Sequence, residues 1–233
     1  MTVDFIVNIV AFIVFLLSIL IYAWKLKTSM SKPGAAKRAL LNTFYIQWVQ
    51  RMKNNENTII AVQTMRNLIM SVTFLSSSIL ILLGLLVQSN LPAADTIIQF
   101  SASSTSLLNQ YKLFILFLVL VFSLIMFLLS LRHMVRFSII IGIPDEAIEK
   151  KGTEEIRKQH ETKECINASF VQSAVFLKAM NRFMFGIRGV YYAVTLLVWF
   201  ISVYAFIIAT ISLTILLIMY HDIRTPDVDL TPI

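Results

Sequence analysis

Residues 61–87 read "AVQTMRNLIMSVTFLSSSILILLGLLV". From Leu68 onward this run carries no charge. It is long enough to cross a bilayer, since a hydrocarbon core of ~30 Å takes about 20 residues of helix. The opening residues are different. Gln63, Arg66 and Asn67 recur at spacings of three and four, so they share one helix face. No helix breaker stands between Thr58 and Leu68, so one helix is expected from Thr58 to Val87. Arg66 then lies inside the apolar stretch, where a charge is costly unless it faces protein or water.

Three further stretches qualify as spans: Phe5–Trp24, Leu113–Leu131 and Val190–Tyr220. The first lacks a basic leader and a small-x-small cleavage site, so it reads as a true helix and not a signal peptide. The last has 31 residues without charge, Pro or Gly. At 1.5 Å per residue that is roughly 46 Å, too long for one upright crossing and too short for two. One tilted helix is expected. The bulk numbers agree with a membrane protein. The 233 residues are 58% hydrophobic and 14% charged, whereas soluble domains run near about 25% charged. The single Cys165 excludes an internal disulfide, and no Cys/His spacing fits zinc.

Lys and Arg are distributed unevenly. Eight lie between the first two spans and ten between Arg132 and Arg188, against Lys112 and Arg224 elsewhere. The positive-inside rule then puts both long loops in the cytosol and both termini outside the cell membrane. The net charge of +7 is thus a topology signal. A soluble basic face with interleaved aromatics is missing, so nucleic acid is not expected as a partner.

The chain divides accordingly. Residues 1–31 hold the first transmembrane helix and its basic edge, and 32–58 a cytosolic amphipathic helix. Residues 59–132 form a hairpin of spans two and three with an external loop at 88–111. Residues 133–188 form a cytosolic helical region, and 189–233 the fourth span with an external tail. In 32–58, Leu41, Phe44, Tyr45, Trp48 and Met52 recur at helical spacing. Such a helix either lies on anionic headgroups or packs into a cytosolic bundle. Span three is expected to continue through "RHMVRFSIIIGIP" and to stop only at Gly142–Pro144. Residues 144–164 read as solvated helix with Glu–Lys pairs four apart. Residues 167–189 read as a second amphipathic helix with Phe170, Ala174, Leu177 and Met180 on one side. Gly186 and Gly189 are not spaced as a GxxxG dimer motif.

Several segments resemble a family catalogued as domain of unknown function 599, membrane proteins of plants, bacteria and archaea. The residues that carry it are "WVQRM" (48–52), "AVQTMRNLIMSVTFLSSSI" (61–79), "SLRHMVRFSIIIGIP" (130–144) and "MNRFMFGIRGVYYA" (180–193), with Trp199 beyond. The resemblance implies a multi-span membrane protein and brings no catalytic residues with it.

The expected topology collects basic residues at the inner membrane edge: Arg66 with Gln63 and Asn67, then Arg132, His133 and Arg136, then Asn181, Arg182 and Arg188. Arginines at cytosolic helix ends commonly snorkel to lipid phosphates. Arg66 departs from that habit, because Gln63 and Asn67 share its face. A guanidinium layer without neighbouring acids would suit an anion or a lipid phosphate, which Arg binds as a planar fork. Repeated around an axis it would give an anion-attracting ring. The candidate anion- or phosphate-binding residues are therefore Gln63, Arg66, Asn67, Arg132, Arg136, Arg182 and Arg188. No span holds an acid in its middle, and no HExxH, P-loop or GxSxG is present. No enzymatic activity, metal or cofactor is expected.

The expected fold is all-α, a polytopic membrane protein of four transmembrane helices with helical cytosolic extensions. The expected function is a homo-oligomeric channel or transporter-like protein with a basic, anion-attracting vestibule. The alternative is a non-conducting structural or accessory subunit that binds lipid headgroups or a larger membrane complex. The lipid bilayer is a partner in both.

Overall fold

The computed structural model describes residues 2–30, 37–52, 58–90, 104–149 and 167–222. Six α-helices account for most of them: α1 Thr2–Met30, α2 Lys37–Met52, α3 Thr58–Asn90, α4 Ser104–Ile140, α5 Ala168–Ile201 and α6 Val203–Leu216. A π-helical turn, Leu217–Asp222, follows. No strand occurs among the described residues. Four of the helices are long and apolar enough to cross a membrane, over Ile6–Leu26, Ile59–Gln88, Asn109–Ile140 and Ala168–Ile201. The chain is an all-α, multi-pass membrane protein.

The uninterrupted start of α3 at Thr58 and the run of α4 to Ile140 match the reading of the sequence. Two expectations need correction. The stretch from Val190 to Tyr220 is not one tilted helix. It breaks at Ser202, whose backbone is extended (φ −155°, ψ 134°) and whose hydroxyl accepts the Ala205 N–H. An N-capping serine can start a new helix where neither Pro nor Gly is present. The second correction concerns α5. Phe170 is 74% exposed and Ala174 and Leu177 are half-buried; Met180 is buried as expected, together with Ala168, Gln172, Phe176 and Ala179. Most of residues 144–164 and the tail beyond Asp222 lie outside the described residues.

The helices form two compact units, Met1–Leu41 with Ile81–Ser123 and Ile187–Ile233, and Asn42–Leu80 with Leu124–Gly186. In the first unit, α1 and the end of α5 run antiparallel, with Asn8 beside Trp199 and Tyr22 beside Arg188. α6 doubles back along α5. Trp199 stacks on Phe206 at 4.7 Å between ring centroids, and the Tyr192 hydroxyl lies 3.5 Å from Thr214 Oγ1. Phe15 of α1 closes this core, edge-on to Tyr192 at 5.8 Å and tilted against Phe206 at 5.7 Å. Gly189 lets α5 approach α4, because a Cβ there would collide with the Ser123 hydroxyl. Small residues of this kind replace the hydrophobic drive that lipid cannot supply.

In the second unit, α2 packs as part of a bundle. Tyr45 and Trp48 meet Phe176 of α5 at 5.6 and 5.2 Å, and Phe176 meets Phe137 of α4 at 4.9 Å. These contacts pack one face of α2 onto α4 and α5, while Phe44 on another face stays exposed. Buried Gln172 donates its amide to the Ile140 carbonyl at 3.5 Å, which serves an orphan group at the end of α4. Ser130 donates to the Ala179 carbonyl at 2.8 Å. Asn167 caps α5 by accepting the Ser169 N–H at 3.1 Å.

Candidate functional site

In the second unit, Gln63, Arg66 and Asn67 lie on one exposed face of α3, continued by Met70, Phe74 and Ser77. The opposite face, through Ala61, Met65, Val72, Ser76 and Ile79, is buried. Their shared face is as the spacing required, and it is turned away from the helices that cover Met65. Phe74 is 71% exposed, so the stripe passes from polar to apolar within three turns. Of the three serines, Ser76 and Ser78 return their hydroxyls to the Val72 and Phe74 carbonyls at 2.8 and 3.0 Å. Both hydroxyls are thereby occupied within their own helix.

Arg132 and Arg136 are exposed on α4, one turn apart. Arg182 of α5 is half-buried and brings Nη1 to 3.2 and 3.4 Å from the two ring nitrogens of His133. His133 Nδ1 is 2.9 Å from the Leu129 carbonyl, so Nδ1–H donates there. Nε2 then carries the lone pair that can accept from the guanidinium. Arg136 and Lys178 add their positive charge around the same imidazole. No carboxylate pairs with Arg66, Arg132, Arg136 or Arg182 among the described residues. The result is a cationic cluster on α4 and α5 that offers several N–H donors to an oxyanion.

Arg188 belongs to the first unit and behaves differently. It is 6% exposed, and its guanidinium carbon stands 5.3 Å from the centroid of the buried Tyr22 ring. A cation over an aromatic face is partly compensated for lost hydration. One turn on, Tyr192 is also buried. Thr214 donates its hydroxyl to the Thr210 carbonyl at 2.8 Å, which leaves its oxygen to accept from Tyr192. Ser123 Oγ and Thr210 Oγ1 are buried with no hydrogen-bond partner among the described residues. This interior is polar in places where a lipid-facing bundle could have been wholly apolar.

The seven candidates thus separate. Arg182, Arg136 and Lys178 surround His133, Arg132 is exposed on α4, Arg188 is withdrawn into helices, and Gln63, Arg66 and Asn67 face outward. The sequence set Arg66 apart, with Gln63 and Asn67 on its face, but gave no sign that Arg188 would be the buried one. It also missed Lys112, counted there only as lying outside the basic loops, which is buried and donates to the Trp199 carbonyl at 3.2 Å. No group of three or more His, Cys, Asp or Glu that could hold a metal occurs among the described residues.

No curated protein and no solved structure matches the chain. The family model described as "protein of unknown function, DUF599" matches residues 10–226. With nearly the whole chain covered, the chain belongs to the DUF599 family.

Proposed function

We propose that the protein is a homo-oligomeric, channel- or transporter-like membrane protein that handles small anions and catalyses no reaction. The observation that carries this reading is the burial of Arg188 against Tyr22. An anchoring arginine reaches out to phosphate, whereas a guanidinium drawn into a span faces a protein interior or a path. The orphan hydroxyls of Ser123 and Thr210 in the same unit support a polar interior. The cluster around His133 and Arg182 would raise the local concentration of anions. In an oligomer, the exposed face of α3 would supply Arg66, with Gln63 and Asn67, to an anion-attracting ring. The charge count supports a cell-membrane location with the basic loops in the cytosol.

The test is chloride efflux from liposomes holding the purified protein. Arg188→Gln is expected to cut the rate at least tenfold and Arg188→Lys to retain part of it. Wild-type protein that passes neither chloride, nitrate nor phosphate would end the reading.

The outward face of Gln63, Arg66 and Asn67, beside exposed Val62 and Met70, favours a second reading. There the protein is a non-conducting accessory subunit that holds lipid headgroups or a larger membrane complex. A stoichiometric companion recovered in mild detergent, lost in Arg66→Gln, would support it.

A further inference from the structure

The first unit contains a cavity of about 280 Å³ between α1, α4 and the end of α5. Its walls are Ile9, Phe12, Ile115 and Trp199, and its polar groups include Lys112 and Asn8. Ile9 and Tyr111 at its rim are exposed, so it opens to the molecular surface. Lys112 is 6% exposed, one turn inside the apolar span that begins at Asn109. Its ammonium donates to the Trp199 carbonyl at 3.2 Å and sits 5.3 Å from the indole centroid. That carbonyl is available because the chain turns extended at Ser202 and the amide four residues on opens a new helix. Trp199 is itself fixed by its Nε1–H, which donates to Asn8 Oδ1 at 3.0 Å.

The carbonyl answers one of the three ammonium donors. Among the residues whose side chains are described, no carboxylate lies within ion-pair distance of Lys112. A desolvated ammonium is expensive unless a counter-charge meets it, and an anionic group in the cavity would supply one. The remaining wall is apolar. The volume is at the lower limit of ligand pockets, roughly 300 Å³, so it suits one narrow chain. Lys112 stands near the start of the apolar segment Asn109–Ile140, so a polar headgroup at that end would have its tail alongside the segment.

We propose that this cavity holds the acidic end of an amphiphile, with a carboxylate or phosphate oxygen on Lys112 Nζ and the first part of one alkyl chain along Ile9, Phe12 and Ile115. The site is independent of the anion-handling role drawn from Arg188. Two bilayer components carry this chemistry, a free fatty acid and an acidic phospholipid.

Photo-labelling of the full chain in phosphatidylcholine nanodiscs tests the proposal. The probes are a diazirine palmitic acid, a diazirine phosphatidic acid and a diazirine phosphatidylcholine, with adducts located by peptide mass spectrometry. The expected result is labelling within residues 9–12 or 111–115 by one or both acidic probes. It should fall at least fivefold in Lys112→Met and in Ile115→Trp, which fills the cavity and keeps the charge. Palmitic acid alone as the label assigns a free acid, and phosphatidic acid alone a phospholipid. Equal labelling of wild type and Ile115→Trp, or equal labelling by phosphatidylcholine, overturns the proposal. Ile115→Trp keeps the test decisive if Lys112→Met does not fold.

Discussion

Gly186 of α5 faces the ring of Phe127 on α4 so closely that a Cβ at Gly186 would come within 2.7 Å of it. The two helices are therefore in contact through a glycine, and a branched side chain there is overpacked. Gly186→Val is expected to cost about 1–3 kcal/mol. Phe127→Ala combined with it should recover part of that loss, because the obstruction is removed. Thermal unfolding in detergent, read as a double-mutant cycle, checks this. Additive effects would mean that the two residues do not press on each other.

Trp199 joins two kinds of contact that can be separated by mutation. Trp199→Phe keeps an aromatic ring against Phe206 and loses the hydrogen bond to Asn8. Its expected cost is small, about 0.6 kcal/mol, the mean for interhelical hydrogen bonds in membranes. Trp199→Ala removes the ring as well and should cost about 3–5 kcal/mol. Unfolding midpoints in the same detergent give the comparison. Equal losses would show that stacking contributes little.

The aromatic group of Tyr45, Trp48, Phe137 and Phe176 is what holds α2 to its unit. Trp48→Ala should free α2 before any other helix. Trypsin cleavage after Arg51, with amide exchange over 42–52, would rise while exchange within α4 stays slow. A uniform rise in exchange across α4 and α5 would contradict that order.

The return of α6 bears on the sidedness of the chain ends. Along the first unit, Asn8 is level with Trp199, whereas Thr214 has come back to the level of Tyr192. By the charge count both termini are expected outside; a chain that returns through α6 would instead have its ends on opposite sides. With Cys165 replaced by serine, single cysteines at positions 2 and 225 should react with an impermeant thiol reagent from opposite faces. Labelling of both from outside would uphold the charge count.

The spans themselves were legible because length and apolar content are sufficient to specify them. The extension of α4 past Arg136 was legible too, since no breaker precedes Gly142; of the apolar residues there Phe137 and Ile141 are covered, whereas Ile139 is exposed. The break at Ser202 was not. A segment apolar on every side has no periodic pattern to lose, and one serine among aromatic and branched residues looks like any other hydroxyl. The buried face of α5 was misjudged because hydrophobicity ranks Phe170 above Gln172. Burial there was decided by the open carbonyl at Ile140, a tertiary fact. The fate of the arginines was hidden for the same reason: a guanidinium is drawn inward only where a ring such as Tyr22, far off in sequence, receives it.

Asn8 and Trp199 are 191 residues apart in the chain. During synthesis α1 enters the bilayer long before the indole that fixes it has been made. The first helix must therefore wait at the insertion machinery or wander in the membrane until the last span arrives. A truncation ending before Trp199 should leave α1 inserted and readily extracted with its neighbours unassembled. Closure of this bundle is consequently a late event, and the ordering of insertion, more than the affinity of any one contact, sets when the protein becomes whole.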